Sequence, residues 1–316
     1  MAASDNDTPA TAAPPSSADD VRREVIDPAL LAEIETLQLN AREIATGALA
    51  GVHRSLRRGS AIEFSEHKLY SPGDDIRHVD WRAFAKTDRY HVKQFEDETN
   101  LALELVVDHS GSMGFAGAGR PTKLQLATTL AAALAYLALR QGDAVGLVTF
   151  ASQPTGELAA RATSGHLLEV LAALVRLAPS GVTGIARSVD QFAARNRRRS
   201  LVVLLTDLFD PDPELGLAFR RLAARRHDVA VLHLVDPDEL SFPYDNPALF
   251  ASMEDPRRLF VHPRTLRQTF VDEMRKFLAA TAREMAASGI DYHQVSSAEP
   301  PAQILAHFLR GRERRP

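Results

Sequence analysis

The sequence predicts an α/β fold, a doubly wound and mostly parallel sheet with helices on both faces, over residues 101–296. Three observations predict it. Strand-length and helix-length segments alternate along this stretch, the strand segments are continuously apolar, and turn-forming residues separate them. Continuous apolarity is the signature of strands covered on both faces, and alternation with helices is what a parallel sheet needs for its crossovers. With 316 residues, 45% of them hydrophobic, the chain can bury a full core beneath such helices.

Taken in order, LALELVVD (101–108) reads as the first strand and PTKLQLATTLAAALAYLALRQ (121–141) as a helix. AVGLVTFA (144–151) reads as a strand after a Gln-Gly-Asp turn, and residues 164–177 and 184–197 as helices. The basic run Arg197, Arg198, Arg199 leads into SLVVLLTD (200–207), an apolar strand. Asp210 or Asp212 is placed to cap a helix that opens at Pro213 and closes near Arg226, ahead of the strand HDVAVLHLVD (227–236). An irregular stretch (237–256) precedes a short strand at 258–262, a helix from 265 to 287 and the strand IDYHQV (290–295). Residues 297–316 read as a C-terminal helix and basic tail. Residues 21–100 form a separate N-terminal segment behind a disordered acidic tail at 1–20.

Composition excludes several chemistries. There are no cysteines, hence no disulfides, thiolate metal sites or cysteine nucleophile. The 41 acidic residues outnumber the 37 basic ones only because Asp5, Asp7, Asp19 and Asp20 crowd the tail. An evenly balanced body argues against nucleic acid as the main partner. The start of the chain lacks a cationic stretch followed by an apolar one, which is the reading of a cytoplasmic protein without a leader. The longest apolar run (124–139) is Ala-rich and interrupted by Gln125, Thr128 and Thr129, and so reads as a buried helix rather than a membrane span.

The segment LVVDHSGSMG (105–114) carries the most informative chemistry. Asp108, Ser110 and Ser112 stand at alternate positions where a buried strand runs out, and a loop curling away there can converge them on one point. Ligands of doubly wound sheets bind beyond the carboxyl ends of the strands, and Asp207 ends a second apolar strand on the same edge. One or two carboxylates with two hydroxyls make a hard oxygen set suited to Mg²⁺ or Mn²⁺. The bland alternative is that Asp108 and Ser110 only cap the next turn.

Asp-x-Ser-x-Ser after a first apolar strand, a Thr in the Gly-containing loop GVTGIARSV, and Thr206-Asp207 at the end of a later strand resemble the metal-ion-dependent adhesion site of von Willebrand factor A-type domains. The resemblance implies metal ligation by Asp108, Ser110, Ser112, Thr183 and Asp207, directly or through water, with a partner's carboxylate completing the shell. Leu208 and Val182 stand where that family often has Gly. The block GVHRSLRRGSAIEFSEHKLYSPGDDIRHVDWRAFAKTDRYHVKQFEDE (51–98) resembles the signature region of the bacterial domain-of-unknown-function 58 family, through Gly-x-His-x-Ser, Arg-Gly, Glu-Phe, Tyr-x-Pro-Gly-Asp-Asp and Arg-x-x-Asp-Trp. That resemblance implies work beside a MoxR-type AAA+ ATPase, or on its client, in chaperone-like assembly or maturation of protein complexes. The mixed charges around Trp81 read most simply as an ion-pair network, and His53, His78 and His91 lack metal-ligand spacing.

Enzymatic readings fare worse. Neither Ser110 nor Ser112 has the flanking glycines of a hydrolase elbow, and GFAGAGRPTK (114–123) lacks the Gly-Lys of a phosphate-binding loop. DPDPE (210–214) fails as a calcium loop because Leu215 and Arg221 occupy required positions. The expectation is a non-enzymatic, Mg²⁺-dependent protein-binding module. Its rivals are a divalent-metal phosphoesterase using Asp108 as nucleophile and a structural interaction protein with a vestigial metal site.

Overall fold

A computed structural model describes residues 28–49, 62–69, 91–97, 102–163 and 165–313. The acidic tail and most of the 51–98 block, with Trp81, His53 and His78, lie outside the described residues.

Six strands build the central sheet: β3 (Ala102–Asp108), β4 (Ala144–Phe150), β5 (Pro154–Arg161), β6 (Ser200–Thr206), β7 (Asp228–Val235) and β10 (Asp291–Ser296). Their order is β10-β7-β6-β3-β4-β5, and every pair is parallel except β4 with β5. The predicted fold class is the observed one. β5 was not predicted, because PTGELAAR alternates only weakly and lies largely exposed on the edge. Two small antiparallel pairs stand apart, β1 (Ile62–Leu69) with β2 (His91–Asp97), and β8 (Ala248–Ala251) with β9 (Arg258–Val261). The short strand read at 258–262 is therefore half of a hairpin whose other half, β8, lies in the stretch that read as irregular.

Helices cover both faces. On one lie α1 (Pro28–Leu49), α2 (Lys123–Arg140), α3 (His166–Val175) and α8 (Pro301–Glu313), and on the other α4 (Ile185–Arg195), α5 (Leu215–Ala224) and α7 (Pro263–Ala287). Period-two geometry divides each strand between them. Leu103, Leu105 and Val107 of β3 face α2, while Val106 faces α4 and α5 with Val202, Leu204 and Val231. α1, from the N-terminal segment, buries Ala41, Ala45 and Ala48 in the first core alongside Leu305 and Leu309 of α8. Sequence domains at 21–100 and 297–316 thus contribute helices to the same core.

Local chemistry sets the helix starts. Thr122 and Gln125 form a reciprocal capping box at α2, with Gln125 N–H to Thr122 Oγ1 at 3.0 Å and Thr122 N–H to Gln125 Oε1 at 2.9 Å. α5 opens at Leu215 rather than Pro213, with Glu214 at its N-cap making no side-chain bond, so neither predicted cap is used: Asp212 accepts the Glu214 N–H just ahead of the helix, and Asp210 accepts Ile185 and Ala186 N–H at the start of α4. A short helix, α6 (Pro237–Ser241), is capped by Asp236. Among the described residues no helix is long and apolar enough to cross a membrane.

Candidate metal site at the carboxyl edge of the sheet

Strand order reverses around β3, whose neighbours are β4 on one side and β6 on the other, so the crevice beyond their carboxyl ends is the switch point of the sheet. Asp108 ends β3 there and Thr206 ends β6, both fully buried. Thr206 Oγ1 donates to Asp108 Oδ2 at 2.7 Å, and the Ser110 N–H donates to Asp108 Oδ1 at 2.8 Å. The turn-capping role of Asp108 and its place among convergent oxygens therefore coexist. Ser110 Oγ and Ser112 Oγ lie 3.2 Å apart, Ser112 sitting in a 3₁₀ turn at Gly111–Gly114.

His109 straps this loop to its neighbours. Its ring nitrogens reach the Ala178 carbonyl at 3.1 Å and Thr155 Oγ1 at 2.8 Å, while its carbonyl accepts the Ser180 N–H at 2.9 Å. Gly111 N–H then donates to the Gly181 carbonyl at 2.9 Å, which fixes the loop carrying Thr183 against the Ser110–Ser112 turn. Val182, the departure from Gly, is 46% exposed and intrudes on nothing, since Gly181 takes the positive φ of 70°. The other departure, Leu208, is the more strained, with φ of 56° in a buried position.

Asp207 stands beside Asp108 but is engaged by a residue the sequence reading passed over. Lys123 Nζ donates to Asp207 Oδ2 at 2.8 Å and to Glu239 Oε1 at 2.5 Å, with no part of the lysine exposed. Phe115 and Phe209 flank the ammonium, with ring centroids 5.9 and 5.0 Å away. Burial pulls the Lys123 pKa down, but Asp207 and Glu239 outweigh it and hold the group above the usual lysine value. One signal for Lys123 was in the sequence: a lysine in the first turn of a helix opposes the helix dipole, so its presence there calls for an anion. Glu239 and Glu254 gave none, because Glu239 arrives on the distant helix α6 and Glu254 on the turn between β8 and β9.

Burial, and next the charge of Asp207, push Asp108 up to about 7. Asp207 and Glu239 share the single buried ammonium of Lys123, Asp108 lies beside Asp207, and Glu254 lines the neighbouring cleft with Glu239. Thr183 Oγ1 and Glu254 Oε1 are buried without a hydrogen-bond partner, and Thr183 N–H donates to Glu254 Oε2 at 3.3 Å. Buried hydroxyl and carboxylate oxygens left unmatched beside such a cluster fit a hard cation. Among the described residues no group of three or more His, Cys, Asp and Glu gathers as a metal site, so any cation must lean on hydroxyls. A cleft of about 250 Å³ opens beside the cluster, lined by Ser112, Phe115, Phe209, Glu239, Glu254 and Arg257.

The fold and this edge define a doubly wound α/β domain with carboxylates and hydroxyls gathered at its switch point. Residues 66–279 match the family described as "Protein of unknown function DUF58", and the chain belongs to that family. Uncharacterized proteins of Mycobacterium tuberculosis and Mycobacterium bovis are each 33% identical to it over 238 residues, 74% of this chain and 73% of theirs. Among solved structures it is similar to the conserved hypothetical protein BatB of Bacteroides thetaiotaomicron (16% identity, TM-score 0.45). It is similar also to an aerotolerance-related membrane protein of Bacteroides fragilis (18% identity, TM-score 0.46). Each similarity covers 68% of this chain and all of the other.

Proposed function

We propose that the chain is a non-enzymatic protein-binding module that holds Mg²⁺ or Mn²⁺ with Asp108, Ser110, Ser112 and Thr183 and grips an acidic side chain of a protein partner. Asp207, committed to Lys123, acts through water. The observation that carries the reading is the orphaned Thr183 Oγ1, buried in the loop bonded to the Ser110–Ser112 turn. Asp108 is poorly placed as a phosphoesterase nucleophile, because it is fully buried and both of its oxygens already accept hydrogen bonds, whereas it can serve a cation through an intervening water. The resemblance of residues 51–98 implies, as the partner, a MoxR-type AAA+ ATPase or its client.

Calorimetric titration of Mg²⁺ and Mn²⁺ into the full chain tests the metal, and retention of the purified ATPase in Mg²⁺ and in EDTA tests the partner. Asp108→Ala, checked for folding by circular dichroism, is expected to lose both. Retention unchanged by EDTA and by the substitution would remove the metal from the contact.

A further inference from the structure

The hairpin of β8 and β9 reaches over the metal edge and carries Glu254 at its tip. We propose that Glu254 is the chain's own ligand to the cation, occupying the position an outside carboxylate would take, so that a partner engages the site only when the hairpin lifts. The inference rests on the metal-binding reading above.

Three observations converge on it. Glu254 presents one buried carboxylate oxygen with no partner, Thr183 Oγ1 is equally unpartnered, and the two residues are joined through Thr183 N–H to Glu254 Oε2 at 3.3 Å. A cation between them would satisfy both orphans at once. The tip also comes as close to the Ser110–Ser112 turn as backbone allows. A Cβ at Gly111 would overlap the Met253 carbonyl, so only glycine admits the hairpin at this depth. Finally, the tip is stiff while its base is lightly held. Ser252 N–H donates to the Arg257 carbonyl at 2.9 Å, Ser252 Oγ accepts from Glu254 and Asp255 N–H, and Asp255 grips Arg257 Nε at 2.7 Å.

Yet β8 and β9 pair only with each other, four residues each, which is marginal for an independent hairpin. Phe250 packs on Phe242 and Tyr244, with centroids 5.5 and 5.3 Å apart, while Leu249 and Phe260 are 57% and 61% exposed. A unit stiff at its tip and weakly anchored moves as a lever. The exposed apolar pair gives a partner something to pull.

The test titrates Mn²⁺ into the full wild-type chain, Glu254→Gln and Asp108→Ala, following free Mn²⁺ by electron paramagnetic resonance and bound Mn²⁺ by water-proton relaxivity. Glutamine keeps an acceptor for Thr183 N–H and removes the charge. We expect Glu254→Gln to bind Mn²⁺ about tenfold more weakly and to show higher relaxivity per bound ion, because water takes the vacated position. In the wild-type chain, Mg²⁺ is expected to slow amide exchange across residues 252–257. Equal affinity and relaxivity in wild type and Glu254→Gln, with binding lost in Asp108→Ala, overturns the role of Glu254 and leaves the metal site standing. Unchanged exchange at 252–257 on adding Mg²⁺ counts against it independently of any variant. A wild-type chain that binds no Mn²⁺ overturns both readings.

Discussion

Lys123 Nζ lies 2.8 Å from Asp207 Oδ2 across 84 residues of sequence, and both side chains are fully shielded from water. The pair joins the first turn of α2 to the end of β6, and Glu239 brings the start of α6 to the same ammonium. Three elements around the switch point are thus tied by one buried cation.

Removal of that cation is expected to cost far more than the pair is worth. In Lys123→Met the apolar stem remains between Phe115 and Phe209, but Asp207 and Glu239 keep charges with no buried partner. Breaking a buried pair on one side typically costs about 3–5 kcal/mol, whereas neutralising all members together is close to balanced. Urea unfolding of Lys123→Met should show a loss of that size. The triple variant Lys123→Met, Asp207→Asn, Glu239→Gln should recover most of it, the costs being strongly non-additive. A single variant within about 1 kcal/mol of wild type would mean that water reaches these carboxylates.

At the other end of β3 a pH dependence is built into the core. Glu104 is 7% exposed, and burial first, then the charge of Glu157, raises it from 4.5 to about 7. The folded chain therefore holds a proton on Glu104 that the unfolded chain releases near 4.5. Between these values the native state binds more protons than the unfolded state, so stability falls as pH rises through 4.5 to 7 and stays low above. Glu104→Gln mimics the protonated form. It should flatten this limb and exceed wild type by about 2–3 kcal/mol at pH 8, with the two converging near pH 4. Denaturant unfolding at a series of pH values reads the difference directly, and parallel curves would show Glu104 to be hydrated.

What the sequence disclosed follows from the range of each signal. β3, β6 and β7 were legible because a strand buried on both faces is apolar at nearly every position, as in the LVVLL of SLVVLLT. β5 was not, since an edge strand needs only one paired side and PTGELAAR faces mostly water. α1 contributes Ala41, Ala45 and Ala48 to the core, residues too small to stand out in a hydrophobic pattern. Asp108 and Asp207 could be named because strand ends place them on one edge, Ser110 and Ser112 because they alternate with Asp108 in the loop that follows, and Thr183 only through the resemblance to the metal-ion-dependent adhesion site. Lys123, Glu239 and Glu254 reach that edge from the first turn of α2, from α6 and from the turn between β8 and β9, and no local pattern encodes that these three meet there.

Leu208 poses a contest between backbone strain and burial that a pair of substitutions resolves. Its φ of 56° is left-handed, which costs a residue with a Cβ about 1–2 kcal/mol, yet its side chain is 1% exposed within the core under α4 and α5. Deleting a buried leucine side chain costs about 2–5 kcal/mol. Burial wins, so Leu208→Gly should be destabilised despite relief of the strain, by about 1–3 kcal/mol on these figures. Leu208→Ala loses the same packing and keeps the strain. The glycine variant is therefore expected to be the more stable of the two by about 1 kcal/mol, against the usual order in which alanine is preferred. Thermal unfolding of both variants settles the ranking. If alanine proves the better replacement, the turn after Asp207 relaxes on substitution, and the hydrogen bond from Leu208 N–H to Thr206 Oγ1 at 3.1 Å does not hold the backbone in place.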